Sequence, residues 1–102
     1  MHLTENTFEQ AVGEPGVLLV EFWADRCGQG RTPGPDLERL AQQYPDVRFA
    51  TVNTSAEPGV SGALGVRSVP TLMIFRDGIL RYEEPGTLPV HALEHLIATV
   101  TR

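Results

Sequence analysis

Val17-Leu18-Leu19-Val20-Glu21-Phe22-Trp23-Ala24-Asp25-Arg26-Cys27-Gly28 is the stretch on which the reading turns. Val17 to Trp23 is a run of β-branched, leucine and aromatic residues of strand length, the pattern of a central strand covered on both faces. One carboxylate, Glu21, interrupts it. The segment Ala24 to Gly34 that follows is rich in glycine and closes on Pro33 and Pro35, and behind it Leu37, Leu40, Ala41 and Tyr44 fall at i, i+3, i+4 and i+7, an amphipathic helix. Cys27 therefore sits where a buried strand gives way to a helix. Free backbone N–H groups and the helix dipole favour an anion there. Arg26 and Arg31 flank it and Asp25 opposes them, so a reactive thiolate is a credible reading beside that of a small buried core residue.

Working outward, Asn6 and Glu9 have the spacing of a capping box ahead of Phe8, Ala11 and Val12, which predicts a short first helix ending at Gly13. Val47 to Asn53 reads as a second strand, and strand, helix, strand implies a parallel pair with a right-handed crossover. Pro58 to Gly65 has room for only a short helix with two glycines inside it. Thr71 to Arg76 is a third strand, Asp77-Gly78 a hairpin signal, and Ile79 to Glu84 the returning antiparallel strand. A last helix begins near Pro89 and projects Val90, Leu93, Leu96, Ile97 and Val100 onto one side. The expectation is a single α/β domain over residues 1–102, with a central mixed four- to five-stranded sheet flanked by helices.

Composition narrows the function. At 102 residues with 41% hydrophobic and 21% charged residues the chain is of one-domain size and ordinary globular composition. A net charge of -5 disfavours a phosphate-backbone partner, so no nucleic acid is expected. All eight basic residues are arginine, which removes Schiff-base and P-loop chemistry. No apolar run approaches the roughly 20 residues of a membrane span and no signal-peptide start is visible, so a cytoplasmic protein without membrane contact is expected. A lone cysteine excludes an internal disulfide and a zinc ribbon. His91 and His95 share a helical face, but it is a solvated one, and no metal or cofactor is expected. Gly28, Gly30 and Gly34 miss the spacing of a dinucleotide-binding turn by one residue, and Pro33 and Pro35 crowd it.

The string Val20-Glu21-Phe22-Trp23-Ala24-Asp25-Arg26-Cys27-Gly28-Gln29-Gly30-Arg31, with Pro35 behind it and Ser68-Val69-Pro70-Thr71 about forty residues on, resembles the thioredoxin family, whose pattern is V-D/E-F-W-A-x-W-C-G-P-C-K. Asp77-Gly78 and Gly86 fall where the family has its hairpin and a later groove glycine. The resemblance runs from Leu3 to Thr101 and implies a thioredoxin-like fold. It implies Cys27 as the nucleophile and Glu21 as the buried acid that manages protons. It makes Pro70 a cis-proline whose loop, with Val69, pairs with an extended substrate segment. Trp23, Arg26, Gly28, Gln29, Val69, Pro70 and Gly86 would line the substrate groove. Three departures matter as much: Gly30 stands where the family has its second cysteine, Arg26 where it has a tryptophan, and Thr51 where it has a lysine near the buried acid.

Two functions follow from that pattern. In the first, Cys27 carries out thiol–disulfide exchange as a one-cysteine variant, with protein thiols or disulfides as partners and glutathione as a candidate external resolving thiol. In the second, the domain keeps the fold and groove as a non-catalytic binding or chaperone module. A monomer is expected in either case. A peroxiredoxin pattern and the C-G-F-S of monothiol glutaredoxins are both absent.

Overall fold

A computed structural model describes residues 1–24, 35–86 and 88–102. Four helices and four strands follow one another as α1 (Phe8–Gly13), β1 (Val17–Trp23), α2 (Pro35–Gln43), β2 (Val47–Asn53), α3 (Pro58–Leu64), β3 (Thr71–Arg76), β4 (Ile79–Pro85) and α4 (Val90–Thr101). The sheet order is β2-β1-β3-β4, with β1 parallel to β2 and antiparallel to β3, and β3 antiparallel to β4. This is the expected mixed sheet, at the four-strand end of its range.

Alternation along β1 sends Leu18, Val20 and Phe22 to one face and Val17, Leu19, Glu21 and Trp23 to the other. The first set packs with Phe8 and Ala11 of α1, Val60 of α3, Ala50, Val52, Met73 and Phe75. Phe8 is the keystone of that layer, its ring 6.2 Å from both Phe22 and Phe75 and edge-on to the latter. The second set packs with Leu40 of α2, Leu93, Ile97 and Val100 of α4, and Leu72 and Ile74 of β3. Both faces are closed, and Leu18, Leu19, Val20 and Phe22 have no exposed surface.

The Asp77-Gly78 loop turns with positive φ at both residues, 52° and 83°, the geometry a two-residue hairpin demands of its central pair. Its outer strand β4 is exposed along nearly its whole length and carries a register shift opposite Ile74 and Phe75. Charge at Arg81, Glu83 and Glu84 and this irregularity blunt an edge that would otherwise pair with other chains.

Three local features depart from the sequence reading. The Asn6–Glu9 capping box does not form. The helix starts one residue later, at Phe8 behind Thr7, and Thr4 replaces the box: its carbonyl accepts from the N–H groups of Thr7 and Phe8, while its own N–H donates to Thr7 Oγ1 at 2.9 Å. Pro89 precedes α4 with extended ψ rather than entering its first turn. Residues Met1 to Leu3 extend the sheet beyond β2, with Leu3 N–H on the Thr51 carbonyl at 2.8 Å, Thr51 N–H on the Met1 carbonyl at 2.9 Å, and His2 bridging Thr51.

Two arginines satisfy helix ends that lack side-chain caps. Arg48, on β2, donates to the carbonyls of Ala11 at 2.6 Å and Glu14 at 3.1 Å at the end of α1. Arg76, on β3, donates to the Val100 carbonyl at 2.8 Å and to that of Arg102 at the end of α4. A guanidinium here serves orphan carbonyls and the negative end of the helix dipole together. Arg48→Met keeps the aliphatic stem and removes these donors, with an expected cost of about 1–3 kcal/mol in urea unfolding at unchanged m. A midpoint equal to that of the wild type would show that Arg48 is not a cap.

Candidate functional site

The C-terminal ends of β1 and β2 lie side by side, and the segment before β3 meets the one after β4 at the same end of the sheet, because β3 runs antiparallel to β1. This arrangement gathers residues from four separate stretches of sequence. Cys27, together with Arg26, Gly28, Gln29 and Gly30, lies outside the described residues, in the connection that leaves β1 after Ala24.

Glu21 is the fifth residue of β1, half-buried, on the face shared with α2 and α4. Its Cα partners are Thr51 on β2 and Leu72 on β3, so its flanks are a hydroxyl and an aliphatic side chain. Among the described residues its side chain has no hydrogen-bond partner or ion pair. Burial pushes its carboxyl group above the ordinary value of 4.5, because low dielectric disfavours the anion. A carboxyl group so placed holds its proton more tightly than an exposed glutamate does, which suits it to give and take protons beside a reactive group.

Trp23, two residues on, is half-buried, and its indole Nε1 is buried without a partner among the described residues. Its carbonyl accepts from Thr54 N–H at 2.8 Å and Thr54 Oγ1 at 3.2 Å. Asn53, its partner on β2, accepts through Oδ1 from the N–H groups of Ser55 and Ala56 at 3.0 and 3.3 Å. These bonds pin the end of β1 to the turn after β2.

Val69 and Pro70 are half-buried at the end of the sheet, joined by a cis peptide bond, and lead directly into β3. Thr71 Oγ1 closes this corner by donating to the Ser68 carbonyl at 2.6 Å. Gly86 donates its N–H to the Pro70 carbonyl at 2.7 Å, with φ at 95°, a conformation that penalises any side chain. The structure thus brings Val69, Pro70 and Gly86 together from opposite ends of the β3–β4 hairpin. The backbone N–H and C=O of Val69 have no partner among the described residues. His91 and His95 are exposed, and the described residues contain no group of three or more metal-ligating side chains.

Sequence reasoning missed His2. Its Nδ1 lies 2.7 Å from Thr51 Oγ1, beside a cleft of about 190 Å³ bordered by Leu37, Glu38 and Ala41 of α2. Nothing in the string Met1-His2-Leu3 announces that contact, which depends on the pairing of the N-terminal segment with β2.

The raised Glu21 carboxyl group has a pH consequence. Folding retains the Glu21 proton over a range where the unfolded chain has lost it, so the folded state binds more protons there. Stability from this group is full below 4.5 and falls as pH rises through its folded value. Glu21→Gln removes that loss, so thermal unfolding should place the variant above the wild type at pH 8 and close the gap at pH 4. An equal difference at both pH values would contradict the desolvation argument.

The thioredoxin family profile matches residues 1–99. Putative thioredoxin 2 of Streptomyces coelicolor is 39% identical over 97 residues, covering 95% of this chain and 72% of that one. Thioredoxin 1 of Synechococcus elongatus is 47% identical over 78 residues, covering 74% and 73%. The solved structure of a mutant thioredoxin from Halobacterium salinarum superposes with a TM-score of 0.88 at 31% identity, covering 100% of this chain and 90% of that one. No helix among the described residues is long and apolar enough to cross a membrane. A site that joins the end of β1 to a Val-Pro-Thr corner, on this fold and with these relatives, makes the chain a member of the thioredoxin family of redox proteins.

Proposed function

We propose that this thioredoxin-family protein exchanges thiols and disulfides through Cys27 alone and takes its resolving thiol from outside the chain. The carrying observation is the pair Cys27 and Gly30: one nucleophile, and a glycine where the second cysteine of the family belongs. The Cys27 thiolate attacks one sulfur of a substrate disulfide, a mixed disulfide forms, and the other sulfur leaves as a thiolate. A second thiol, from glutathione or from the substrate, then attacks the mixed disulfide, frees Cys27 as a thiolate and carries the disulfide away. Glu21 takes and returns the proton of Cys27 between the two steps.

The groove supports this reading. The N–H and C=O of Val69, which have no partner among the described residues and lie beside Pro70 and Gly86, suit an extended substrate segment added as a strand. Trp23, Gly28 and Gln29 would complete its wall. Arg26, next to Cys27 in sequence, would offer a cation to a glutathione carboxylate or an acidic substrate. A cytoplasmic setting, where glutathione is abundant, is the one in which such a cycle can run.

The absent second thiol sets the kinetics. An aligned internal thiol attacks with an effective molarity on the order of 10⁵ M, against millimolar glutathione in solution. Pre-reduced protein mixed with insulin should form a mixed disulfide through Cys27 and stop. Millimolar glutathione should restart turnover, and Gly30→Cys should let one equivalent of pre-reduced protein release one equivalent of reduced insulin without it, its own cysteines ending as a disulfide. Release of fully reduced insulin by the pre-reduced wild type without added thiol would sink the one-cysteine mechanism. A Cys27 that forms no mixed disulfide, in a protein that still binds reduced substrate, would leave the non-catalytic binding module in its place. Replacing Arg26 with alanine should slow Cys27 glutathionylation, and equal rates would show that the cation plays no part.

A further inference from the structure

Helices α1 and α3 cover the same face of the sheet without closing on each other. Phe8 of α1 and Val60 of α3 are buried in the core between them, and Leu64 is half-buried beside that pair. The residues of α3 that look toward α1 above this layer are Gly59 and Ala63, which carry little or no side chain and are exposed. A cleft of about 280 Å³ is left, floored by Phe8, Val60 and Leu64 and bordered by Ala63, Glu5 and Glu9. That volume falls just below the roughly 300–1,000 Å³ of small-molecule sites, and it suits an anchoring side chain better than a cofactor.

The rim of the cleft is acidic and held in place. Glu5 Oε2 accepts from the Gly59 N–H at 2.6 Å, and the Glu5 N–H donates to Glu57 Oε1 at 2.9 Å. Two carboxylates and two backbone groups thereby lock the segment before α1 to the start of α3. Gly59 is bound to be glycine for this, since a Cβ there would collide with the Glu5 carboxylate. Glu9 follows in the first turn of α1, exposed. No basic side chain lines the cleft, and among the described residues none of Glu5, Glu9 and Glu57 makes an ion pair. The ion pair among those residues joins Arg76 to Asp77, on the β3–β4 hairpin.

We propose that this cleft docks a basic segment of another protein, which inserts an aliphatic side chain between α1 and α3 and sets an arginine or lysine against Glu5 and Glu9. The apolar floor gains from burying the anchor, and the carboxylates choose its neighbours by charge. Glu5 is already fixed by its backbone bonds, so little further ordering is needed, and its Oε1, with no partner among the described residues, is left to accept from a guanidinium. A phosphate-bearing surface would instead meet these uncompensated carboxylates on a chain of net charge -5. None of the residues assigned to thiol exchange lines the cleft, so a partner is held there whether or not Cys27 reacts.

The test titrates the full chain with a short cysteine-free peptide in which a leucine is flanked by arginines, and follows the backbone amides by NMR. Saturable shifts are expected at Phe8, Glu9, Val60 and Ala63. Affinity should fall about tenfold or more when glutamate replaces the peptide's arginines or alanine its leucine, and likewise when the protein carries Glu5→Gln with Glu9→Gln, which keeps an acceptor for Gly59. Ala63→Tyr, at an exposed position, should fill the cleft and abolish the shifts with thermal unfolding unchanged, and Ala63→Ser should bind as the wild type does. Equal binding of the arginine and glutamate peptides overturns the proposal, as do binding untouched by both sets of variants, shifts centred on Val69 and Gly86, or no saturable shift. Shifts of the same amides that grow with protein concentration alone would make a second copy the occupant, and overturn it too. The peptide has no sulfur, so an inert Cys27 would overturn the exchange mechanism and leave the docking site standing.

Discussion

Strand β1 lies between two layers of helix, and water is excluded from both its faces. Leu18, Val20 and Phe22 close one layer and Val17 and Leu19 the other, each side chain worth roughly 1.5–3 kcal/mol when fully buried. That double burial fixes the register of β2 and β3, since slipping β1 by one residue would exchange two complete apolar sets. It also fixes the chemistry of Glu21. A carboxylate in such a strand has neighbours chosen for packing, and the cost of its charge shows as a raised proton affinity and, once the proton is gone, as lost stability. The element with least freedom in the molecule thus carries the acid and delivers the chain to Cys27.

The strength of that constraint explains what the sequence announced. β1 and β3 were legible to the residue because each is a continuous apolar run bounded by turn residues, and the burial that selects such a run leaves no other place for it. The positive φ at Asp77 and Gly78 was legible because few residue pairs tolerate it. Long-range polar contacts were not. Arg48 caps the end of α1 through a carbonyl 34 residues earlier, and an arginine on an alternating strand looks the same in sequence whether it meets water or a carbonyl. The capping box at Asn6 failed for a related reason, since Thr4 and Thr7 offered the same backbone groups a competing local arrangement.

The candidate site divided along the same line. Its members on the central strand and at the Val-Pro-Thr corner belong to local patterns that announce themselves, and the resemblance placed Gly86 beside them before any contact was known. His2 belongs to no local pattern. It comes into play because Leu3 is buried and the backbone before it pairs with β2, a consequence of tertiary structure that no periodicity in three residues can encode.

Taken with the proposed mechanism, these features place different demands on the two sides of the Glu21 carboxyl group. A dithiol protein must move protons for two sulfurs that stay within one site, and its buried acid serves both in turn. With Gly30 in place of the second sulfur, the resolving thiol arrives from solution and brings its own proton, so over one cycle the site exchanges protons with water as well as with Cys27. An acid sealed on every side would answer that need slowly. Glu21 is instead half-buried, and part of its surface still meets solvent. That residual access counts most while a mixed disulfide covers Cys27, the stage at which a one-cysteine protein must wait for its partner.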